Sequence, residues 1–335
     1  AAVTVGELKV ATVNIALTSS TPPSAPLAPT LDPVTSPTRT ASQTIHGTKD
    51  VNTSVWLGNT QIVTSDQLPT LSYTMALNEG NNSISLTARN AAGLESVATT
   101  GVILLDSTAP VVSAGGNQTK GTVFTQMGSA TDTNAITYGW SKQAGPGTVT
   151  FGSPSGLSTT IAASADGTYT IRFTATDAAG NSSYSDMTLV WDTAAPTLAI
   201  GSPSLAVTKS GPVTYTVTYA GADSIAFTDV NVTLNKTGTA SGTVAVSGTG
   251  NTARMVTISN ITGDGALGIS IAAGTASDSA GNLAAASGAS ATFTVDNTAP
   301  LTIADPVSGL YSSAQTVRLI VSEDAVIYYT MDGAN

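Results

Sequence analysis

A five-residue signature, Asp-x-x-Ala-Pro, recurs three times in this 335-residue chain. The copies are Asp106-Ser107-Thr108-Ala109-Pro110, Asp192-Thr193-Ala194-Ala195-Pro196 and Asp296-Asn297-Thr298-Ala299-Pro300. Each follows an apolar, β-rich run, at 101–105, 187–191 and 291–295. Proline has no N–H to give to a strand ladder, so it ends a strand or sits at a sheet edge. One domain's last strand should therefore stop at Asp, and the next domain's first strand should begin after Pro. The spacing is 86 residues from Asp106 to Asp192 and 104 from Asp192 to Asp296, each the size of one β-sandwich.

A second repeat lies upstream of each junction. Ala88-Arg89-Asn90-Ala91-Ala92-Gly93 matches Ala175-Thr176-Asp177-Ala178-Ala179-Gly180-Asn181 and Ala276-Ser277-Asp278-Ser279-Ala280-Gly281-Asn282. Asx side chains bond their own backbone and Gly takes positive φ, so each copy reads as a tight turn. The residues before it alternate with period two, as in 169–174, which is a strand signal. The unit is strand, turn, strand, junction, and each junction is expected to face the turn of its own domain. No segment holds a helical period, and turn residues fall about every 8 to 12 positions, as in an all-β sandwich. The expected division is an isolated strand at 1–18, a Pro-rich linker at 19–37, sandwiches at 38–109, 110–195 and 196–299, and a partial domain at 300–335.

Composition narrows the partners. Charged residues are 10% of the chain, and Ser and Thr take their place on the wet faces of strands. The net charge is −10, from 21 acidic and 11 basic residues. No basic stripe exists to displace counterions from a nucleic-acid backbone, and anionic membrane surfaces are disfavoured. Divalent cations remain compatible. There is no cysteine, which removes disulfides, thiolate metal sites and Cys nucleophiles. No run reaches the ~18 apolar residues of a membrane span. The opening Ala1-Ala2 reads as the product of leader cleavage or as a fragment edge.

With these residues in view, the chain resembles tandem bacterial immunoglobulin-like repeats of secreted and surface proteins. The closing pattern of Asp-Ala-Ala-Gly-Asn and Asp-x-x-Ala-Pro carries that likeness. Residues 38–106 resemble one variety, through Ile45-His46-Gly47-Thr48 and Leu77-Asn78-Glu79-Gly80-Asn81. Residues 110–192 resemble a PKD-type repeat, through 113–118, Tyr138-Gly139-Trp140, Gly145-Pro146 and Gly167-Thr168-Tyr169. Residues 196–296 resemble a third variety, through Asn260-Ile261-Thr262-Gly263-Asp264-Gly265. Residues 300–335, with Gly309-Leu310-Tyr311 and 327–333, resemble the start of a chitobiase C-terminal-like sandwich. The resemblance implies an elongated array of immunoglobulin-like β-sandwich domains outside the cell or on a bacterial cell surface.

The chemistry expected of such a chain is sparse. Hydrolytic triads need a base, and the one histidine, His46, sits in a strand beside Gly47, where a structural role is expected. No histidine cluster exists for zinc. The chain is read as no enzyme. Trp56, Trp140 and Trp191 are the candidates for stacking on sugars, with Trp140 expected in a core and Trp191 at a seam. Calcium needs several hard oxygens. The resemblance implies an interdomain calcium site, and the candidate ligands are Asp106, Asp177, Asp192, Asp278 and Asp296. The competing reading is that these acids only cap turns.

The expected function is a structural stalk or adhesin-type segment. The alternatives are accessory binding modules of an extracellular polysaccharide-degrading enzyme, and a filament subunit in which the strand at 8–17 completes the partial domain of a neighbouring copy. Expected partners are other domains of the same protein or neighbouring copies, and cell-surface or polysaccharide ligands.

Overall fold

A computed structural model describes Gly6 and residues 22–330. The strand expected at 1–18, its exchange between copies and the last residues of the terminal segment lie outside the described residues. Within them the chain is all-β, with one short 3-10 turn at Asp229–Asn231. No described helix is long and apolar enough to cross a membrane.

The first sandwich has a four-stranded sheet in the order Thr60–Asp66, Thr53–Leu57, Gly80–Arg89, Thr99–Leu105. It faces the pair Ser42–Thr48 and Thr70–Ala76. Residues 30–37, expected inside the linker, belong to this sandwich. Thr30 N–H bonds Thr48 O, Asp32 N–H bonds His46 O, and Leu31 and Val34 pack on the core. A proline-rich sequence obscures this segment, because Pro29 and Pro33 flank the residues that donate to the neighbouring strand.

The second sandwich pairs Ile136–Ala144, Gly167–Asp177 and Ser182–Trp191 in antiparallel order, with Gln118–Lys120 added parallel to the last of them. Opposite lie Val149–Phe151, Ser158–Ala163 and Phe124–Met127. The third sandwich sets Thr197–Ile200, Val213–Ala220, Ala253–Thr262 and Ser241–Ser247 against Val207–Thr208, Phe293–Val295, Gly265–Ile271 and Val232–Lys236. A terminal hairpin, Thr302–Asp305 with Arg318–Val321, has no facing sheet among the described residues.

Period-two patterning makes the cores. Along one strand Tyr169, Ile171, Phe173 and Ala175 are all fully buried, while the residues between them face outward. Val213, Tyr215 and Val217 repeat the pattern in the third sandwich. Each domain thus closes its own cluster of buried side chains.

Candidate functional site

Sequence reasoning points to the junction acids, and the fold explains their fixed placement. In all three sandwiches a short early segment runs parallel to the last strand: Thr38 beside Leu105, Gln118–Lys120 beside Leu189–Trp191, and Val207–Thr208 beside Thr294–Val295. That segment receives the N–H of the junction acid. Asp106 donates to Thr38 O at 2.9 Å, Asp192 to Lys120 O at 3.0 Å and Asp296 to Thr208 O at 3.1 Å. Each junction carboxylate then accepts the N–H two residues on, from Thr108, Ala194 and Thr298. This is an Asx turn, and it reverses the chain just ahead of the Ala-Pro pair.

A clamp that the sequence reading missed holds the next residue. Glu79 accepts from the N–H and hydroxyl of Ser107, Asp166 from those of Thr193, and Asp264 from the N–H of Asn297. The signal was present: each of these acids directly precedes a positive-φ glycine, Gly80, Gly167 or Gly265, that opens the strand paired with the domain's last one.

The expected pairing of junction and turn is corrected. Ser182–Trp191 is a ten-residue strand that starts after the turn and ends at the junction. At about 3.3 Å per residue it separates Asp177 from Asp192 by roughly 33 Å. The Asp177 and Asp278 turns therefore face the junction of the preceding domain. The Asn181 amide donates to Asp106 O and to the Asp177 carboxylate, both at 2.8 Å. The Asn282 amide likewise joins Asp278 to Asp192 O. Asp296 stands at the junction with the terminal segment and has no such turn against it among the described residues.

At the first seam the geometry goes further. Asp106, Asp132 and Asp177 each place a carboxylate oxygen within 4.8 Å of the others. Asp106 and Asp177 are buried, at 3% and 5% exposure. Hard cations sit about 2.3–2.6 Å from oxygen ligands, so three oxygens at this separation fit around one ion. The Asn134 amide bonds Asp106 Oδ2, and no described ion pair neutralises the three acids. Asp132 was not among the sequence candidates. It is the residue just past the last ladder pair, Thr131 with Val111. The matching position is Gly221 in the third sandwich, after Ala220 paired with Thr197. In the first it is Lys49, after Thr48 bonded to Thr30, and its ammonium pairs with Asp66 at 2.8 Å. Among the described residues the triad therefore forms once.

The turn acids are strongly held. Burial pushes the Asp177 carboxyl up, but the Asn181 amide and the N–H groups of Asn181, Gly180 and Ala179 outweigh it and keep it below its usual value. Asp278 behaves in the same way, against the Asn282 amide and N–H and those of Ala280 and Gly281. A carboxyl depressed on folding adds stability above its unfolded pKa of 3.8, and that stability is lost as pH falls through the lower folded value. Melting temperatures of the second and third sandwiches are thus expected to fall progressively below about pH 4. Asp177→Asn should flatten the second sandwich's share of that slope, as read by calorimetry across pH. An unchanged slope would remove Asp177 from the acid response.

The remaining candidates sit elsewhere. His46 lies on the solvent face of its strand. Trp140 is in the second core, tilted against Phe173 with ring centroids 4.6 Å apart. Trp191, expected at a seam, is buried in that same core. Trp56 is half-buried under the Arg89 guanidinium, 4.1 Å from its ring centroid.

Comparison with known proteins gives a family match for part of the chain and distant structural likenesses. No curated protein sequence matches it. Solved structures similar to it include the fibronectin(III)-like modules of Clostridium thermocellum CbhA, at 14% identity and a TM-score of 0.31, over 49% of this chain and 94% of that one. Others are the Dpr2 Ig1-Ig2 complex with DIP-Theta Ig1-Ig3, at 13% and 0.32 over 80% and 99%, and the Protocadherin GammaB4 extracellular domain, at 14% and 0.32 over 78% and 44%. Residues 117–190, the body of the second sandwich, match the family model described as K319L-like, PKD domain.

Proposed function

We propose that this chain is a non-catalytic structural array, a stalk or adhesin-type segment of a secreted or cell-surface bacterial protein. The supporting observation is the anchoring of each junction. At least three bonds from its own domain hold the junction acid and its neighbour, and at the first two seams an amide of the next domain holds the acid's carbonyl. A connector tied on both sides transmits orientation from one sandwich to the next, which is the property a spacer needs. An interdomain contact left loose would allow hinge motion by default. Small-angle scattering of the full chain should give one extended particle with a narrow range of shapes. A broad ensemble of bent shapes would overturn the reading.

Within this function calcium is the cation that suits the first seam. Asp106, Asp132 and Asp177 would supply carboxylate oxygens, and the ion would balance their charge and stiffen the joint. Free calcium about a hundredfold above its dissociation constant should stabilise the folded seam by about 2.7 kcal/mol. The check is a melting curve with calcium and with chelator. Asp132→Asn should abolish the difference, and an identical curve in both conditions for the unaltered chain would remove calcium from the proposal.

A further inference from the structure

Three turns in this chain carry an amide that reaches the main chain of whatever precedes the domain; in the first it opens the turn, at Asn90, and in the other two it closes the turn, at Asn181 and Asn282. Asn90 donates to Ser24 O at 2.8 Å, Asn181 to Asp106 O at 2.8 Å and Asn282 to Asp192 O at 2.7 Å. In the second and third sandwiches the same Nδ2 also donates to the turn acid, at 2.8 Å to Asp177 and 2.9 Å to Asp278. Both acceptors are oxygens, one a carbonyl and one a carboxylate, so the position needs two donors on one group, which the amide NH2 supplies. The turn acid orients the amide, and the amide reads the carbonyl of the neighbour. A second bond accompanies each contact: Arg39 Nη1 to Gly180 O at 2.7 Å at the first seam, and Gly121 N–H to Ala280 O at 3.2 Å at the second.

We infer that the Asx-x-Ala-Gly-Asn turn is a docking latch, in which Asn181 and Asn282 fix each sandwich on the main chain of its predecessor. This rests on the spacer reading above, and it needs no cation at the second seam. The partner is defined by chemistry: a main-chain carbonyl presented by an Asx turn whose own N–H is already held in a ladder. Side chains at the x positions of the junction do not enter the recognition. The two seams therefore share one latch although Ser107-Thr108 and Thr193-Ala194 differ.

The opposing surface at the second seam is shaped for the latch. A methyl group built on Gly121 would overlap both Asn282 Oδ1 and Asp192 O, with the Asn282 Cγ only 2.9 Å away. Glycine at 121 leaves the space through which the amide reaches its carbonyl. This gives a variant on the far side of the seam that leaves the Asp278 turn intact.

The test is pulsed electron-spin distance measurement on the full chain in chelator. One label pair lies within the third sandwich and one pair spans the second seam. The unaltered chain should give a narrow distribution for both. Asn282→Ala and Gly121→Val should each broaden the cross-seam distribution and remove its single maximum, with the internal pair unchanged. Asn282→Asp, which sets a carboxylate against two oxygens, should broaden it at least as much as Asn282→Ala. A cross-seam distribution that stays narrow in Asn282→Ala and Gly121→Val overturns the latch while the spacer reading stands. A distribution already broad in the unaltered chain overturns the spacer reading, and the latch with it.

Discussion

Phe173→Ala is expected to unfold the second sandwich at temperatures where the first and third stay folded. Phe173 has no exposed surface and is the hinge of an aromatic cluster. Its ring lies 4.6 Å from Trp140 and 5.7 Å from Tyr138, centroid to centroid. Between the strands Phe124–Met127 and Ser129–Thr131 the backbone of Gly128 comes so near that a methyl there would sit 2.7 Å from the ring. Nothing small can follow the ring into the space it vacates, because Gly128 has no side chain to extend. Removing a buried Phe costs about 3–5 kcal/mol when the site cannot collapse. Domains of this size hold only about 5–15 kcal/mol in total. Trp140 and Trp191 both lie in this core, and Trp56 reports on the first sandwich. Denaturant unfolding followed by fluorescence should therefore resolve an early transition from the two core tryptophans. A single unshifted transition would mean that Phe173 carries far less of the core than its burial indicates. Packing of this kind turns on residues about 45 positions apart, which no local pattern encodes.

The division between what local sequence reveals and what it hides follows the range of each interaction. Asp106, Asp192 and Asp296 were legible because Pro and Asx have meaning within four residues, and the Asx turns there are local bonds. The Asp177 and Asp278 turns were legible for the same reason. Which junction each of these turns meets is not visible in the local pattern, although strand length fixes it. A hairpin turn and the end of its outgoing strand lie at opposite poles of a sandwich. Asp132 was hidden more deeply. It is an isolated acid after the three-residue strand Ser129–Thr131, and only alignment of its ladder with those of the other sandwiches marks the position. Glu79, Asp166 and Asp264 form the opposite case. They repeat openly as an acid followed by Gly, but their partners Ser107, Thr193 and Asn297 lie 27 to 33 residues on. Residues 30–37 were concealed by composition, since prolines between backbone donors look like a linker when read one residue at a time.

Gly145→Ala should destabilise the second sandwich nearly as much as loss of Phe173, although it adds one carbon and removes none. Gly145 has φ +126°, a conformation that side chains rarely adopt, and a methyl there would run into the Tyr169 ring. Strain at such a φ costs about 1–3 kcal/mol and overpacking a further 1–3, so the pair comes to about 4 kcal/mol. The ring cannot move aside, because its hydroxyl is committed at both ends. It donates to Ala165 O at 2.6 Å and accepts from Gly147 N–H at 3.1 Å. This is the tyrosine corner of an immunoglobulin-like sandwich, near the start of the penultimate strand. Gly167, at φ +141°, closes the same corner, with Pro146 against the place its side chain would take. Gly145-Pro146 and Gly167-Thr168-Tyr169, distant in sequence, are thus two halves of one packed unit. Tyr169→Phe separates the contributions. It keeps the ring, loses the two hydroxyl bonds and should cost only about 1–3 kcal/mol. In Gly145→Ala with Tyr169→Phe the freed ring can shift, so the double variant should be more stable than the sum of the two losses predicts. Strict additivity in chemical denaturation would mean that the ring is not what excludes a side chain at 145, and that backbone strain alone sets the cost.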